Sequence, residues 1–179
     1  MPRLAVVIAL LFANVAWGKT TLKGPPKALF LYAPADRNKV RRFDTALGVL
    51  LANRRFLPLN RQGIADNSAA SGTLLNEMQR LLPQADVVFC VLSPNFTANA
   101  KCSALARKAY AARSEGKHLV PVMLEPTDLG DLLPRGVRKA PTKLEIAVSE
   151  YSDADAAWLD VSIDISRVLS SLTGRPPAY

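Results

Sequence analysis

Asp86-Val-Val-Phe-Cys-Val-Leu-Ser93 is the stretch of this 179-residue chain that decides the fold, because it gives the clearest strand signal. Its valines and its phenylalanine are the β-branched and aromatic residues that are enriched in strands. Ala28-Leu-Phe-Leu-Tyr32 is apolar at every position, a pattern typical of a strand buried on both faces of a parallel sheet. His118-Leu-Val-Pro-Val-Met-Leu124 is another strand candidate. Arg55-Phe-Leu-Pro-Leu59 is a weaker one, which Pro58 restricts to a sheet edge or a strand end.

Apolar residues at helical spacing separate these strands. After Asp36, a favoured helix-capping residue, they recur at intervals of three and four positions. The spacing predicts helices with these apolar faces: Val40, Phe43, Leu47 and Leu50; Leu74, Leu75, Met78, Leu81 and Leu82, closed by Pro83; Ala98, Cys102, Leu105 and Ala109; and, from about Asp155, Trp158, Ile165, Val168 and Leu172. Strands and helices therefore alternate, which predicts a single α/β domain with a parallel sheet and right-handed crossovers.

The first eighteen residues have the pattern of a targeting segment. An uninterrupted apolar run follows Arg3, and small residues at Ala16 and Gly18 have the spacing of a cleavage site. We expect a signal peptide; an uncleaved anchor, or a buried strand or misassigned start, are the alternatives. Contact with a membrane would be made through residues 4–17, which are short for a membrane span. We therefore expect an exported or membrane-tethered protein, with a cytoplasmic location as the alternative because lysines flank the segment on its far side.

The remaining boundaries follow from composition. Gly24-Pro25-Pro26 breaks regular structure, which suits an extended linker. We expect a signal peptide or anchor at residues 1–18, a linker at 19–27, the folded domain at 28–173 and a tail at 174–179.

The formal charge of +8 and the two cysteines limit the classes of partner and site. A basic surface permits an acidic protein, an anionic lipid or a phosphate-rich partner. Its cations are not interleaved with stacking aromatic residues, so we do not expect a nucleic-acid partner. Cys90 and Cys102 form no disulfide framework and, with His118 as the sole histidine, no metal-ligand set. We expect Cys90 to be a buried apolar residue and His118 to lie in a surface turn.

Five features, in chain order, resemble one family. Leu29-Phe-Leu-Tyr-Ala-Pro-Ala-Asp-Arg37 resembles its first conserved box, and Arg61-Gln-Gly-Ile64 to Gly72 its loop after the second strand. Ala85-Asp-Val-Val-Phe-Cys-Val-Leu-Ser-Pro-Asn-Phe96 resembles the third strand with its Ser-Pro exit, and Val120-Pro-Val-Met-Leu-Glu-Pro126 the fourth strand. Trp158 stands where the last helix often carries an aromatic residue. Together these residues resemble Toll/interleukin-1 receptor homology (TIR) domains of the bacterial type.

The resemblance implies a flavodoxin-like, three-layer domain with a central parallel sheet of about five strands flanked by helices. It also implies two uses, association between like domains and cleavage of the nicotinamide-ribose bond of NAD. Cleavage needs a glutamate three residues after a cysteine in the third helix, to stabilise positive charge at the ribose carbon. That position here is Leu105, which cannot share charge, and no acid occurs between Asp86 and Glu115. The catalytic motif is therefore degenerate, and no catalytic residue is assigned.

The resemblance also indicates ligand-pocket candidates, which are Tyr32, Ala33, Asp36 and Arg37. Ala33 and Pro34 replace polar residues that often follow the tyrosine in the family. Asp36 and Arg37 are retained. We prefer the interpretation in which Asp36 caps a helix over one in which it contacts a ligand, because Asp is a preferred cap.

Three functions remain open. The first is a TIR-like interaction module that associates with itself or another TIR-like protein and has no cofactor or metal. Its candidate surfaces are the loop residues Arg61, Gln62, Gly63, Ile64 and Asp66 and the helix faces with Arg41, Arg42, Arg107 and Lys108. The second is an NAD nucleosidase with NAD as its substrate and a displaced acid, Glu77 or Glu115. The third is an exported basic protein that binds an anionic polymer or lipid.

Overall fold

The computed structural model describes residues 22–61, 70–134, 137–143 and 146–178. The predicted targeting segment lies outside these residues. So do four of the loop candidates, Gln62, Gly63, Ile64 and Asp66. Among the described helices, none combines the length and the apolar character needed to cross a bilayer.

Four parallel strands form the sheet, and their order along it is β2-β1-β3-β4. The strands are β1 Lys27–Leu31, β2 Leu57–Pro58, β3 Val87–Leu92 and β4 His118–Met123. β1 and β3 are central, and every residue of β3 is buried, which explains its uninterrupted apolar sequence. The predicted α/β fold with a parallel sheet is confirmed. β2 is a short edge strand, as Pro58 indicated.

Beyond β4 the sheet continues as a single bridge rather than a fifth strand. Ala140 donates its N–H to the Pro121 carbonyl and accepts from the Met123 N–H, both at 2.8 Å. Pro141 follows and has no N–H to continue the ladder. The described residues therefore contain four strands, where the sequence indicated about five.

Helices cover both faces of the sheet, as expected for the three-layer arrangement. They are α1 Arg37–Ala46, α2 Gly48–Ala52, α3 Ser71–Leu81, α4 Pro94–Ala98, α5 Ala100–Ala111 and α6 Ala154–Thr173. Short 3-10 turns lie at Pro34–Asp36, Leu82–Gln84, Ala112–Glu115 and Val148–Glu150.

The predicted third helix is in fact two helices. Asn99 interrupts it, because its side-chain oxygen accepts hydrogen bonds from the Lys101 N–H at 3.0 Å and the Cys102 N–H at 3.1 Å. These bonds cap α5, and Ala98 becomes the exposed last residue of α4. The prediction that Ala98 shares an apolar face with Cys102 and Leu105 is therefore wrong.

Buried aromatic rings join α1 and α6 to the sheet. Phe30 on β1 contacts Phe43 and Phe89 edge to face, with ring centroids 5.5 and 5.4 Å apart. Phe43 in turn stacks on Trp158 at 5.6 Å. Such contacts add to the stabilisation from burial. The helical spacing that placed Phe43 and Trp158 on apolar faces agrees with this core.

The two ends of the described chain meet at the C-terminal part of α6. Leu22 donates its N–H to the Leu172 carbonyl at 2.9 Å. A guanidinium nitrogen of Arg55 donates to the Ser170 hydroxyl at 3.0 Å, and the Ala178 N–H donates to the Ser166 hydroxyl at 2.8 Å. The described part of the predicted tail therefore packs on the domain.

Candidate functional site

The candidate site lies at the carboxyl edge of the sheet, where β1 and β3 end side by side. In the order β2-β1-β3-β4, the chain runs from β1 outward to β2 on one side, and from β3 outward to β4 on the other. Such a switch point is where ligands bind in open α/β sheets. Tyr32 and Ala33 follow β1 there, and Ser93 follows β3; all three are buried.

Asp36 is the polar centre of this edge. It is only 1% exposed. The Ser93 hydroxyl donates a hydrogen bond to its Oδ2, and the Asn95 amide donates to its Oδ1 at 2.8 Å. The Lys39 ammonium lies 3.8 Å from Oδ1 and also pairs with Glu125, which follows β4. Both carboxylate oxygens are thus engaged, and the Lys39 ammonium, which Asp36 shares with Glu125, offsets part of the negative charge.

The expectation that the Asp36 side chain caps α1 is wrong. Asp36 occupies the position before the helix, but its side chain accepts no hydrogen bond from the first turn. The 3-10 turn at Pro34–Asp36 places the carboxylate beside the β3 exit, where Ser93 and Asn95 donate to it. Asp36 therefore joins the loop after β1 to the loop after β3.

Ser93 and Asn95 are site residues that the sequence analysis did not identify as such. The Ser93 hydroxyl accepts from the Phe96 N–H at 3.0 Å, which caps α4, while it donates to Asp36. A serine before a proline at the first helical position is a recognisable start signal for a helix. That signal predicts the cap, but it does not predict the bond to Asp36.

Tyr32 brings a second polar group into the site. Its side chain is fully buried, and its hydroxyl has no hydrogen-bond partner within the described part of the chain. Burial raises the pKa of Tyr32 to about 12, against the opposing effect of the nearby Arg37 guanidinium. The phenol is consequently neutral at physiological pH. The pocket candidates Tyr32, Ala33, Asp36 and Arg37 come together at this edge.

Leu105 lies on α5, the helix that contacts this edge of the sheet through Cys102. The Cys102 thiol, one turn earlier on α5, is 3.8 Å from the Tyr32 carbonyl oxygen and donates a weak hydrogen bond to it. Burial raises the pKa of Cys102 to about 11, so the thiol stays protonated. Residues three apart share a helix face, and Leu105 is only 3% exposed within the apolar core. Position 105, three residues after Cys102, therefore carries the alkyl side chain of leucine and no carboxylate.

The two displaced-acid candidates lie at different ends of the molecule. Glu77 on α3 is half-buried, and its charge contributes to the raised pKa of Tyr32. Glu115 is exposed in the turn before β4, at the amino edge of the sheet. Tyr32 lies at the carboxyl edge. Of the two acids, Glu77 is the one on a helix that packs on β1 and on the turn at Pro34–Asp36.

His118 departs from the expected surface turn. It is the first residue of β4 and is only 7% exposed. Burial and the nearby Arg113 charge lower the pKa of His118, and Asp86 opposes them. Cys90 is buried in β3, as expected, and burial raises the pKa of its thiol. No group of three or more potential metal ligands occurs among the described residues.

The interaction candidates that the structure describes are Arg61, Arg41, Arg42, Arg107 and Lys108. Arg61 forms an ion pair with Asp44 at 3.1 Å, which ties the start of the predicted loop to α1. Arg42 on α1 is exposed, as are Arg107 and Lys108 on α5. Arg41 is half-buried, and its charge acts on Tyr32.

Comparison with known proteins gives one family. A family model described as TIR domain matches residues 30–159, which include the end of β1, the other three strands, the candidate site at the edge of the sheet and the first part of α6. No curated protein is similar enough to the chain to count as a match.

Proposed function

Because the chain belongs to the TIR domain family over residues 30–159, we propose that it is a self-associating interaction module that does not cleave NAD. The family consists in general of signalling and interaction modules, and TIR domains associate with themselves or with one another. Self-association is therefore the use that the family supports. The reason to propose that NAD is not cleaved lies in the side chains of the candidate site.

The observation that supports this proposal is the hydrocarbon at position 105. The resemblance assigns the catalytic glutamate to this position, and Leu105 is buried there in the apolar core, one turn after Cys102. Cleavage of the nicotinamide-ribose bond develops positive charge on the ribose carbon, which a carboxylate stabilises and an alkyl side chain does not. Asp36 is a poor replacement because both of its oxygens already accept hydrogen bonds from the protein.

Sedimentation velocity tests the association directly. We expect the average mass of the purified protein to rise with concentration through the micromolar range, where weak self-association is measurable. A protein that stays monomeric throughout this range, and that retains no other TIR-domain protein when used as bait, would overturn the proposal.

A second candidate function, NAD nucleosidase activity, is favoured by one observation. The helix that carries Glu77, α3, packs on β1 and on the turn at Pro34–Asp36, so an acid lies on a helix next to this edge of the sheet. Catalysis requires a placed carboxylate, and geometry decides before pKa does. The signature of this alternative is nicotinamide release that is lost in Glu77→Gln and retained in Glu115→Gln, since Glu115 lies at the other edge of the sheet.

A further inference from the structure

The amino edge of the sheet, opposite the candidate site, carries a cluster of cations. This edge consists of the first residues of the strands together with the C-terminal ends of α3, α5 and α6. Among the residues that the structure describes, its acids are Asp86 before β3 and Glu115 before β4. The cations are more numerous, and together they define the basic edge: Lys23, Lys27, Arg54, Arg55, Arg80, Arg113, Lys117 and Arg175.

The positive charge of the basic edge is not cancelled within the described part of the chain. The Lys117 ammonium donates to the carbonyl oxygens of Pro83 and Ala85, both at 2.7 Å. Arg55 donates to the Ser170 hydroxyl at 3.0 Å. These acceptors are neutral, so the bonds hold the cations in place and leave their charge. None of the cations of the basic edge forms an ion pair with a described residue.

The helix ends at this edge account for only part of the excess of cations. A cation near a helix C-terminus offsets the helix macrodipole, which corresponds to about half of an elementary charge. The ends of α3, α5 and α6 therefore balance less than two of the charges, and the excess of cations over acids at the basic edge is larger.

Exposed acids lie instead at the opposite edge of the sheet. Asp128 and Asp131 follow β4, Glu150 lies in the turn before α6, and Asp153 and Asp155 lie at the start of α6. Exposed negative charge is thus concentrated on the side of the candidate site. An anionic surface would attract the domain with the basic edge foremost.

An exposed apolar side chain lies among the cations of the basic edge. Leu57, the first residue of β2, is 45% exposed and is paired in register with Lys27 on β1. Arg54 and Arg55 precede it closely in the chain. A cationic surface that also exposes an apolar side chain suits the boundary of a bilayer, where the cations meet lipid phosphates and the apolar group enters between the headgroups.

The described chain also begins at the basic edge. Leu22 donates its N–H to the carbonyl of Leu172, near the end of α6, at 2.9 Å. Residues 1–21 therefore join the domain here, and they include the apolar run at 4–17 that we expect to contact a membrane. A membrane reached by that run would face the basic edge.

We propose that the basic edge docks on a membrane surface that contains anionic lipids, with the candidate site facing away from the bilayer. The cations bind the lipid phosphates, and Leu57 enters the headgroup layer. A nucleic acid would also neutralise the cations, but it offers no apolar layer for Leu57. This docking surface is independent of the proposed self-association.

Vesicle sedimentation tests the proposal with the full chain. We expect tighter binding to vesicles of phosphatidylcholine mixed with phosphatidylserine than to vesicles of phosphatidylcholine alone, and a difference that shrinks as salt is raised. The double variant Lys27→Gln with Arg80→Gln should weaken binding to the anionic vesicles about tenfold or more, because each cation close to an anionic surface contributes about fivefold.

The matched control removes two exposed cations elsewhere. Lys139→Gln with Lys143→Gln gives the same change of net charge beside the bridge at Ala140, and it should leave vesicle binding nearly unchanged. A second pair of variants tests the apolar contact. Leu57→Ser should weaken binding to anionic vesicles severalfold, whereas Leu159→Ser, which changes a similarly exposed leucine on α6, should not.

Three results would overturn the proposal. The first is equal affinity for anionic and neutral vesicles, which would show that the cations do not contribute. The second is an equal effect of the two glutamine pairs, which would show that net charge and not the basic edge determines binding. The third is tighter binding to mixed-sequence duplex DNA than to anionic vesicles, weakened by the Lys27 and Arg80 changes, which would assign the basic edge to nucleic acid.

Discussion

At the scale of single residues, the buried carboxylate of Asp36 bonds to other side chains of the protein at the edge of the sheet where ligands bind in open α/β sheets. Its oxygens accept from Ser93 and Asn95 and lie near Lys39. A buried carboxylate is tolerated only with such compensation. These contacts therefore give Asp36 a structural role in linking the exits of β1 and β3.

Replacing Asp36 by alanine tests this role. We expect Asp36→Ala to lower the free energy of unfolding by about 2–4 kcal/mol, because the Ser93 hydroxyl and the Asn95 amide lose a charged acceptor in a buried setting. Urea denaturation measures the change. Asp131→Ala, which removes an exposed carboxylate, is the control with an effect within about 0.5 kcal/mol. Equal effects of the two substitutions would show that the Asp36 network contributes nothing to stability.

His118 gives the fold a pH dependence near neutrality. Its pKa in the folded protein lies below the ordinary value of 6.5, so the unfolded chain binds more protons than the folded one between the two values. The stability that His118 contributes is present above the unfolded pKa and is lost as the pH falls through the folded pKa. We expect the free energy of unfolding to decrease as the pH is lowered from about 7 to about 5.

The matched variant for this prediction is His118→Gln, which keeps a polar side chain without the imidazole titration. His118 is the sole histidine, so its removal isolates the effect. Denaturation curves at several pH values should show a flatter dependence in the variant. A wild-type slope identical to that of His118→Gln would mean that burial of the imidazole does not alter its proton affinity.

At the scale of secondary-structure elements, Asn99 determines where α5 begins. Its side chain accepts from two backbone N–H groups of the first turn, which would otherwise be without partners. The spacing of apolar residues predicted that this helix includes Ala98. That spacing depends only on which side chains are apolar, and it does not indicate where a cap ends or begins a helix. The helix that starts at this cap brings the Cys102 thiol to the Tyr32 carbonyl oxygen, and Leu105 follows one turn later.

The cap makes a specific prediction. We expect Asn99→Ala to lower the free energy of unfolding by about 1 kcal/mol, and Asn99→Asp to cost much less because aspartate retains the acceptor. Chemical denaturation measures both variants. If the alanine and aspartate variants are equally stable, the side-chain cap is not what stabilises the start of α5.

The sequence patterns predicted the positions of the strands and helices more accurately than they predicted the side-chain contacts between them. The strands at Ala28 and Val87 follow from local apolar runs, whereas the register that places Ala28 beside Val87 was not indicated by either run. The partners of Asp36 lie 57 and 59 positions further along the chain, so no local pattern indicates them. His118 was misplaced for the same reason, since its burial is produced by neighbours that are distant in sequence.

At the scale of the whole molecule, the site candidates gather at one edge of the sheet. Tyr32 and Asp36 lie where β1 and β3 end, and Cys102 on α5 contacts that edge one turn before Leu105. The side chains of Arg42, Arg107 and Lys108 are exposed on other parts of the helices. Because none of these exposed residues is a candidate at the edge of the sheet, the proposed association does not require a working catalytic centre.

As proposed, the chain associates with itself but leaves NAD intact. The most direct measurement is nicotinamide release from NAD at protein concentrations where sedimentation shows association, so that activity confined to the assembled form is included. We expect release equal to that of a protein-free control. Release above that control which Glu77→Gln abolishes and Glu115→Gln preserves would contradict it, because a carboxylate other than that of the family motif would then be stabilising the cation at the ribose carbon.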